Sequence, residues 1–166
     1  MALNAYLTLK GVKSGDIKGS CSIKGREGQI VVIAAHHEVS SPHDATTGQP
    51  TGKRQHQPFV ITKEVDKATP FLYQAWVNNE VLSDFELHFW RPGIKTAMGT
   101  GGEVPYYTVK LSQARITGIR FQLPHTRDLE TQKMAESEEI AFSYQHIEWT
   151  WVDGQVTAAD DLNNLS

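Results

Sequence analysis

The chain has one cysteine, Cys21, among 166 residues, so it can form neither an internal disulfide framework nor a multi-cysteine zinc site. It has no apolar run near the ~18–20 residues a membrane-spanning helix requires, so no membrane insertion is expected. The first residues, Met1-Ala2-Leu3-Asn4-Ala5-Tyr6, show neither the basic nor the apolar part of a secretory leader. The expectation is a protein made in the cytoplasm; if it leaves the cell, it does so by a route that reads no cleavable leader. An excess of positive charge is also missing: 16 Lys and Arg face 19 Asp and Glu, for a net charge of −3. Bulk attraction to phosphate backbones is therefore absent, and nucleic acid is not an expected partner.

Catalytic patterns are equally scarce. Ser20, Ser22 and Ser143 lie in strand-like segments and not on a strand-to-helix elbow. The loop Gly99-Thr100-Gly101-Gly102 lacks the Lys-Ser/Thr of a phosphate cradle, and Glu103 follows it. Seven histidines are present, but His43, His56, His88, His125 and His146 are scattered, with no chelating spacing. His36 and His37 are adjacent at a strand end, where neighbours point to opposite faces. No catalytic residue, metal ligand or cofactor is assigned. A His-lined metal-dependent barrel enzyme stands as the alternative reading.

What the sequence does contain is β pattern. Ala5, Leu7 and Leu9 alternate with polar residues, as do Ile17, Gly19, Cys21 and Ile23, which places Cys21 on an apolar face as a buried structural thiol. Arg26 lies in a charged turn, Gly25 to Gly28. Ile30 to Ala35 is apolar on both faces and reads as a strand covered on both sides, by packing within the domain or by a partner. Phe59 to Val65 reads as a strand, and Thr69-Pro70 as a helix start with the threonine as N-cap. The helix runs to Asn78 and is so apolar that it must plug or cap something. Phe85 to Trp90 and Tyr107 to Leu111 alternate again. The segment Ala114–Leu123 slips phase near Gly118, which indicates a bulge. His125 to Glu138 reads as a charged surface loop, Ile140 to Trp151 as one long closing strand, and Thr157 to Ser166 as a frayed tail. With 39% hydrophobic residues and four tryptophans, this is a mainly β domain: a small β-barrel of about eight strands with one short helix and a long extended loop.

That loop, Ser41 to Phe59, exceeds the about 12–15 residues that unstructured connections rarely pass. It carries three prolines and two glycines and almost nothing apolar before Phe59. It reads as an arm that docks on a neighbouring copy. A monomeric adaptor using the same loop is a further alternative.

Several stretches resemble the hemolysin-coregulated protein (Hcp) family, in order and over nearly the whole chain. They are Asp16-Ile17-Lys18-Gly19-Ser20; Arg26-Glu27-Gly28; Thr47-Gly48 through Thr51-Gly52-Lys53-Arg54, His56 and Pro58-Phe59; and Thr62-Lys63-Glu64-Val65-Asp66-Lys67. Pro70, Leu72-Tyr73, Ala75, Phe89-Trp90-Arg91 and Ile147-Glu148-Trp149-Thr150-Trp151 complete the set. The resemblance implies one domain over 1–155, with 41–59 as its inter-subunit arm and a short acidic tail at 156–166. It implies a hexameric ring closed head to tail and stacked into the inner tube of the type VI secretion system. Sheath and spike components and effector proteins in the lumen would be its partners, and it would be no enzyme. In the arm, Gly48, Gly52, Arg54, His56, Pro58 and Phe59 are the expected interface residues, and His36 is the candidate facing the lumen.

Overall fold

The computed structural model describes residues 3–93 and 102–164. The first alternating segment is strand β1 (Ala5–Gly11), with Leu7 and Leu9 buried. Strand β2 (Gly15–Ile17) stops well short of Ile23. Beyond it the backbone pairs irregularly, Gly19 N–H to the Gly28 carbonyl and Cys21 N–H to the Gln29 carbonyl, and Cys21 is buried. Strands β3 (Ile30–Val32) and β4 (Ala34–His36) are separated by a bend at Ile33. Strands β5 (Val39–Ser40) and β6 (Gln55–His56) pair with each other at the base of the arm, and β7 (Phe59–Glu64) follows. After helix α1 (Thr69–Val77) come β8 (Leu82–Pro92), β9 (Glu103–Ser112) and β10 (Arg115–Gln122). The chain ends with β11 (Ser137–Ser143), β12 (His146–Trp151), β13 (Val156–Asp161) and a 3-10 turn, Leu162–Asn164.

Among the described residues the protein is mainly β with one α-helix, as expected, but the strands do not close into one cylinder. A seven-stranded sheet runs β13-β12-β9-β8-β1-β2, with β3 also on β1; a four-stranded sheet runs β10-β11-β7-β4. The bend at Ile33 carries the chain from one sheet to the other, because β3 pairs with β1 while β4 pairs with β7. This corrects the reading of Ile30–Ala35 as one strand; within the single chain Ile30 and Val32 are buried, while Ile33, Ala34 and Ala35 are exposed. The core lies between the sheets, with Phe85 of the large sheet edge-on to Phe59 and Phe142 of the small one at 5.9 and 4.9 Å.

Three other expectations change. Ile140–Trp151 is not one strand: it breaks at Tyr144 and Gln145, and its two halves lie in different sheets. The segment expected to fray is instead strand β13, paired to β12 from His146↔Asp161 to Trp151↔Val156. Thr69 does not cap its helix. The N-cap is Ala68 with no side-chain bond, Asp66 accepts the Ala68 N–H, and the Thr69 hydroxyl donates to Glu138. The bulge does fall where the phase slipped, between Ile116 and Gly118. Of the Gly99–Gly102 loop, residues 99–101 lie outside the described residues. The helix buries Leu72 and Ala75 and leaves Phe71, Trp76 and Val77 exposed.

Two charged groups are buried to hold loops. Arg26, placed by sequence in a surface turn, is 7% exposed; its guanidinium lies 4.4 Å from the Tyr6 ring and 4.2 Å from the Trp90 ring and pairs with Glu103 at 2.7 Å. Stacked cations of this kind survive burial because the ring faces replace part of the lost hydration. Glu80 accepts the Lys13 and Ser14 N–H groups and the Ser14 hydroxyl, closing the β1–β2 turn. Burial acts to raise its pKa, but these hydrogen bonds prevail and hold it below the ordinary value. Glu80→Ala leaves those donors without their acceptor and is expected to cost about 1–3 kcal/mol in urea unfolding. Because the folded pKa is depressed, the wild-type contribution is complete above the ordinary glutamate range. It fades as pH falls through the folded pKa, so the deficit of the variant should shrink in acid.

Candidate functional site: the arm, its root and the open sheet edges

The arm has structure of its own. Asp44 accepts the Thr46 and Thr47 N–H groups, both at 2.8 Å, and these bonds hold its carboxyl below the usual range. The Thr51 N–H donates to the Pro42 carbonyl, His43 bridges to Pro50, and the Asp44 N–H reaches Gln49. Gly48 has a φ of +70°, a left-handed geometry that glycine adopts without strain. Gly52 is needed for closeness instead: a Cβ there would sit 3.0 Å from the Pro42 ring. Gly48, Gly52 and Pro58 are exposed, and the arm is a projecting hairpin.

Its root is clamped to its own chain. Arg54 donates Nε and Nη2 to the two oxygens of Asp160 in β13, each at 2.9 Å. The His56 side chain is 1% exposed, with Nε2 at 2.8 Å from Asp160 and Nδ1 at 2.9 Å from the Tyr144 hydroxyl. On the other side that hydroxyl meets Nε2 of His37, between β4 and β5 on the way into the arm, at 2.5 Å. The Arg54 hydrogen bonds hold the Asp160 carboxyl low, against the opposing effect of burial and with help from His56. Burial first, and Asp160 second, push the Tyr144 phenol up to about 12. Burial first, and the neighbouring His56 second, hold His37 below the ordinary histidine value.

The sequence-based interface set therefore divides. Phe59 is 4% exposed in the core of its own chain, so its ring does not reach for a neighbour, and this corrects its assignment to the arm surface. Arg54 and His56 spend their polar atoms on Asp160 and Tyr144. Only Gly48, Gly52 and Pro58 of the six lie free on the surface. His37, Tyr144 and Asp160 carried no sequence signal of a joint role, since Tyr144 is 107 positions from His37. Among the described residues no three His, Cys, Asp or Glu side chains converge to hold a metal.

The four-stranded sheet adds the second feature. Its edge strand β4 is exposed at Ala34, Ala35 and His36, and the opposite edge, β10, ends in Phe121 and then Leu123, 54% and 56% exposed. Cross-strand register places His36 opposite Val60 and Ala34 opposite Thr62. Both therefore share the sheet face turned away from the core residues Phe59, Ile61 and Lys63.

The sequence profile described as "Type VI secretion system effector, Hcp" matches residues 6–151. The "Major exported protein" of Pseudomonas aeruginosa is 35% identical over 170 residues, covering 97% of this chain and 96% of that protein. A crystal structure of an Hcp protein superposes with a TM-score of 0.85 at 28% identity, over 96% of this chain and 97% of that one. A doubly substituted Hcp1 from E. coli EAEC 042 gives a TM-score of 0.81 at 34% identity, over 97% and 99%. With strand order, arm and edges described and the match running from β1 through β12, this chain belongs to the Hcp family of type VI secretion system tube proteins, a structural family and not an enzymatic one.

Proposed function

We propose that the chain is the repeating unit of a hexameric ring whose rings stack into an expelled tube, with effector proteins carried inside. The observation that supports this most is the four-stranded sheet with two unlike open edges. Exposed Ile33, Ala34 and Ala35 flank one, and Phe121 and Leu123 flank the other. Contact between unlike edges is head to tail and closes a ring when the rotation fits. In such a ring the sheet face away from the core lines the hole. That face carries Thr62, Glu64, Arg120, Glu139, Ser143 and His36, polar groups suited to wet, non-sticking passage of cargo. His36 is thus a lumen-facing residue in this reading. The arm projects from this body and is free to reach the next ring. Sheath and spike components would meet the outer surface and the tube's end.

Sedimentation and negative-stain imaging of the purified protein test the reading: rings of several chains are expected, and compact single chains at all workable concentrations would overturn it. The arm is tested separately by replacing 44–49 with a short glycine turn, leaving Arg54 and His56 in place. Single rings should survive while stacking is lost. Undiminished stacking would remove the arm from the assembly.

A further inference from the structure

The polar chain at the arm root has a proton order that the geometry fixes. Asp160 is ionised and can only accept, so His56 Nε2 carries a proton toward it. A neutral His56 then offers Nδ1 as an acceptor, and the Tyr144 hydroxyl donates to it. The Tyr144 oxygen, in turn, accepts from Nε2–H of His37. Each polar hydrogen in the chain has one destination, from His37 to Tyr144 to His56 to Asp160, with Arg54 bidentate at the far end.

Added protons have unequal consequences. If one added proton sits on His56 Nδ1, that nitrogen becomes a donor to the Tyr144 oxygen. The hydroxyl then turns to His37, whose neutral ring shifts its proton to Nδ1 and accepts at Nε2. Every bond survives, and the new imidazolium faces Asp160. A second proton, on His37, leaves both rings donating to one phenol oxygen and gives the phenol hydrogen no acceptor. It also places two imidazolium rings 6.1 Å apart, with one carboxylate already held by Arg54. The other groups packed on His37, Phe59 of β7 and Trp149 of β12, carry no charge to compensate.

We propose that this chain is a two-proton latch at the entry to the arm: it takes up one proton without losing a bond and lets go of His37 when the second arrives. His37 stands just before β5 on the way into the arm and His56 lies in β6 on the way out, so the second proton frees the entry while Arg54 still holds the exit to Asp160. Burial first, and His56 second, hold His37 below the ordinary histidine value, so the second proton arrives below neutrality. The consequence for ring stacking rests on the function proposed above; the latch itself is a property of a single chain.

Hydrogen exchange of the full chain, read by mass spectrometry on dilute, unstacked protein, tests it. Between about pH 7.5 and about pH 5, after correction for intrinsic exchange, protection in 38–57 is expected to fall by about tenfold or more, while β13 keeps its pairing to β12. Core amides of β8 should stay protected. His37→Gln keeps an N–H donor for Tyr144 but cannot titrate, and should hold the arm closed at the acid end. Tyr144→Phe removes the hub and should leave the arm equally unprotected at both pH values. The proposal is overturned if the wild-type arm stays protected in acid, if β8 opens together with it, or if His37→Gln opens at the same pH.

Discussion

Lys63→Met is expected to destabilise the fold by about 3–5 kcal/mol, read as a lowered urea midpoint at unchanged slope. The Lys63 ammonium is buried, donating to Glu138 at 2.7 Å, to the Glu64 carbonyl at 2.8 Å and to Thr69 at 3.2 Å, and pairing with Asp66 at 2.9 Å. Glu138 is 1% exposed, and one of its oxygens has no partner among the described residues. Taking away the ammonium leaves that carboxylate in the core with only the Thr69 hydroxyl, and an unpaired buried charge is the costly case. Glu138→Gln should cost less, about 1–3 kcal/mol, because Asp66 still faces Lys63. The combined Lys63→Met and Glu138→Leu change should recover much of the loss, since replacing both charges leaves neither stranded. If Lys63→Met unfolds with the wild-type midpoint, the cluster is not a structural element.

The same cluster shows where sequence reading stops. Period-two alternation disclosed β1 and β8, β-branched and aromatic content disclosed β7, and the slipped phase located the bulge before Gly118. Glu138 looked like the end of a charged surface loop since nothing local announces that Lys63, 75 positions away, meets it in the core. The corner at Tyr144 was in principle legible: Ile140, Phe142 and Tyr144 keep one parity, and Ile147, Trp149 and Trp151 keep the other. An unbroken strand cannot hold both sets on one face. β13 left no such trace. Val156 to Ala159 are all exposed, so its pairing is written in backbone hydrogen bonds and in Asp160 alone. His56 was named for the subunit interface, and its place inside the chain depends on Tyr144 and Asp160, both far away in sequence. Family resemblance recovered the assignment because it compares whole chains, where a local pattern compares neighbours.

The double change Phe121→Asp with Leu123→Asp separates folding from assembly. Both side chains are more than half exposed in the single chain, at the open end of β10, where Arg120 and Gln122 are exposed as well. Register explains Phe121: it lies opposite Glu138 and so points to the core side of the sheet, but at the end of the strand, past the last core partners. Exposed substitutions of this kind change fold stability by about 0.5 kcal/mol or less, so the urea midpoint should hardly move. In a ring, the same two positions would carry carboxylates into a contact with Ile33, Ala34 and Ala35 of the next copy. Desolvating each without a partner costs several kcal/mol, and the cost recurs at every contact around the ring. The expected result is a folded single chain in sedimentation, with circular dichroism and midpoint of the wild type. Rings that persist with both aspartates in place would show that β10 faces solvent and that the contact between subunits lies elsewhere on the surface.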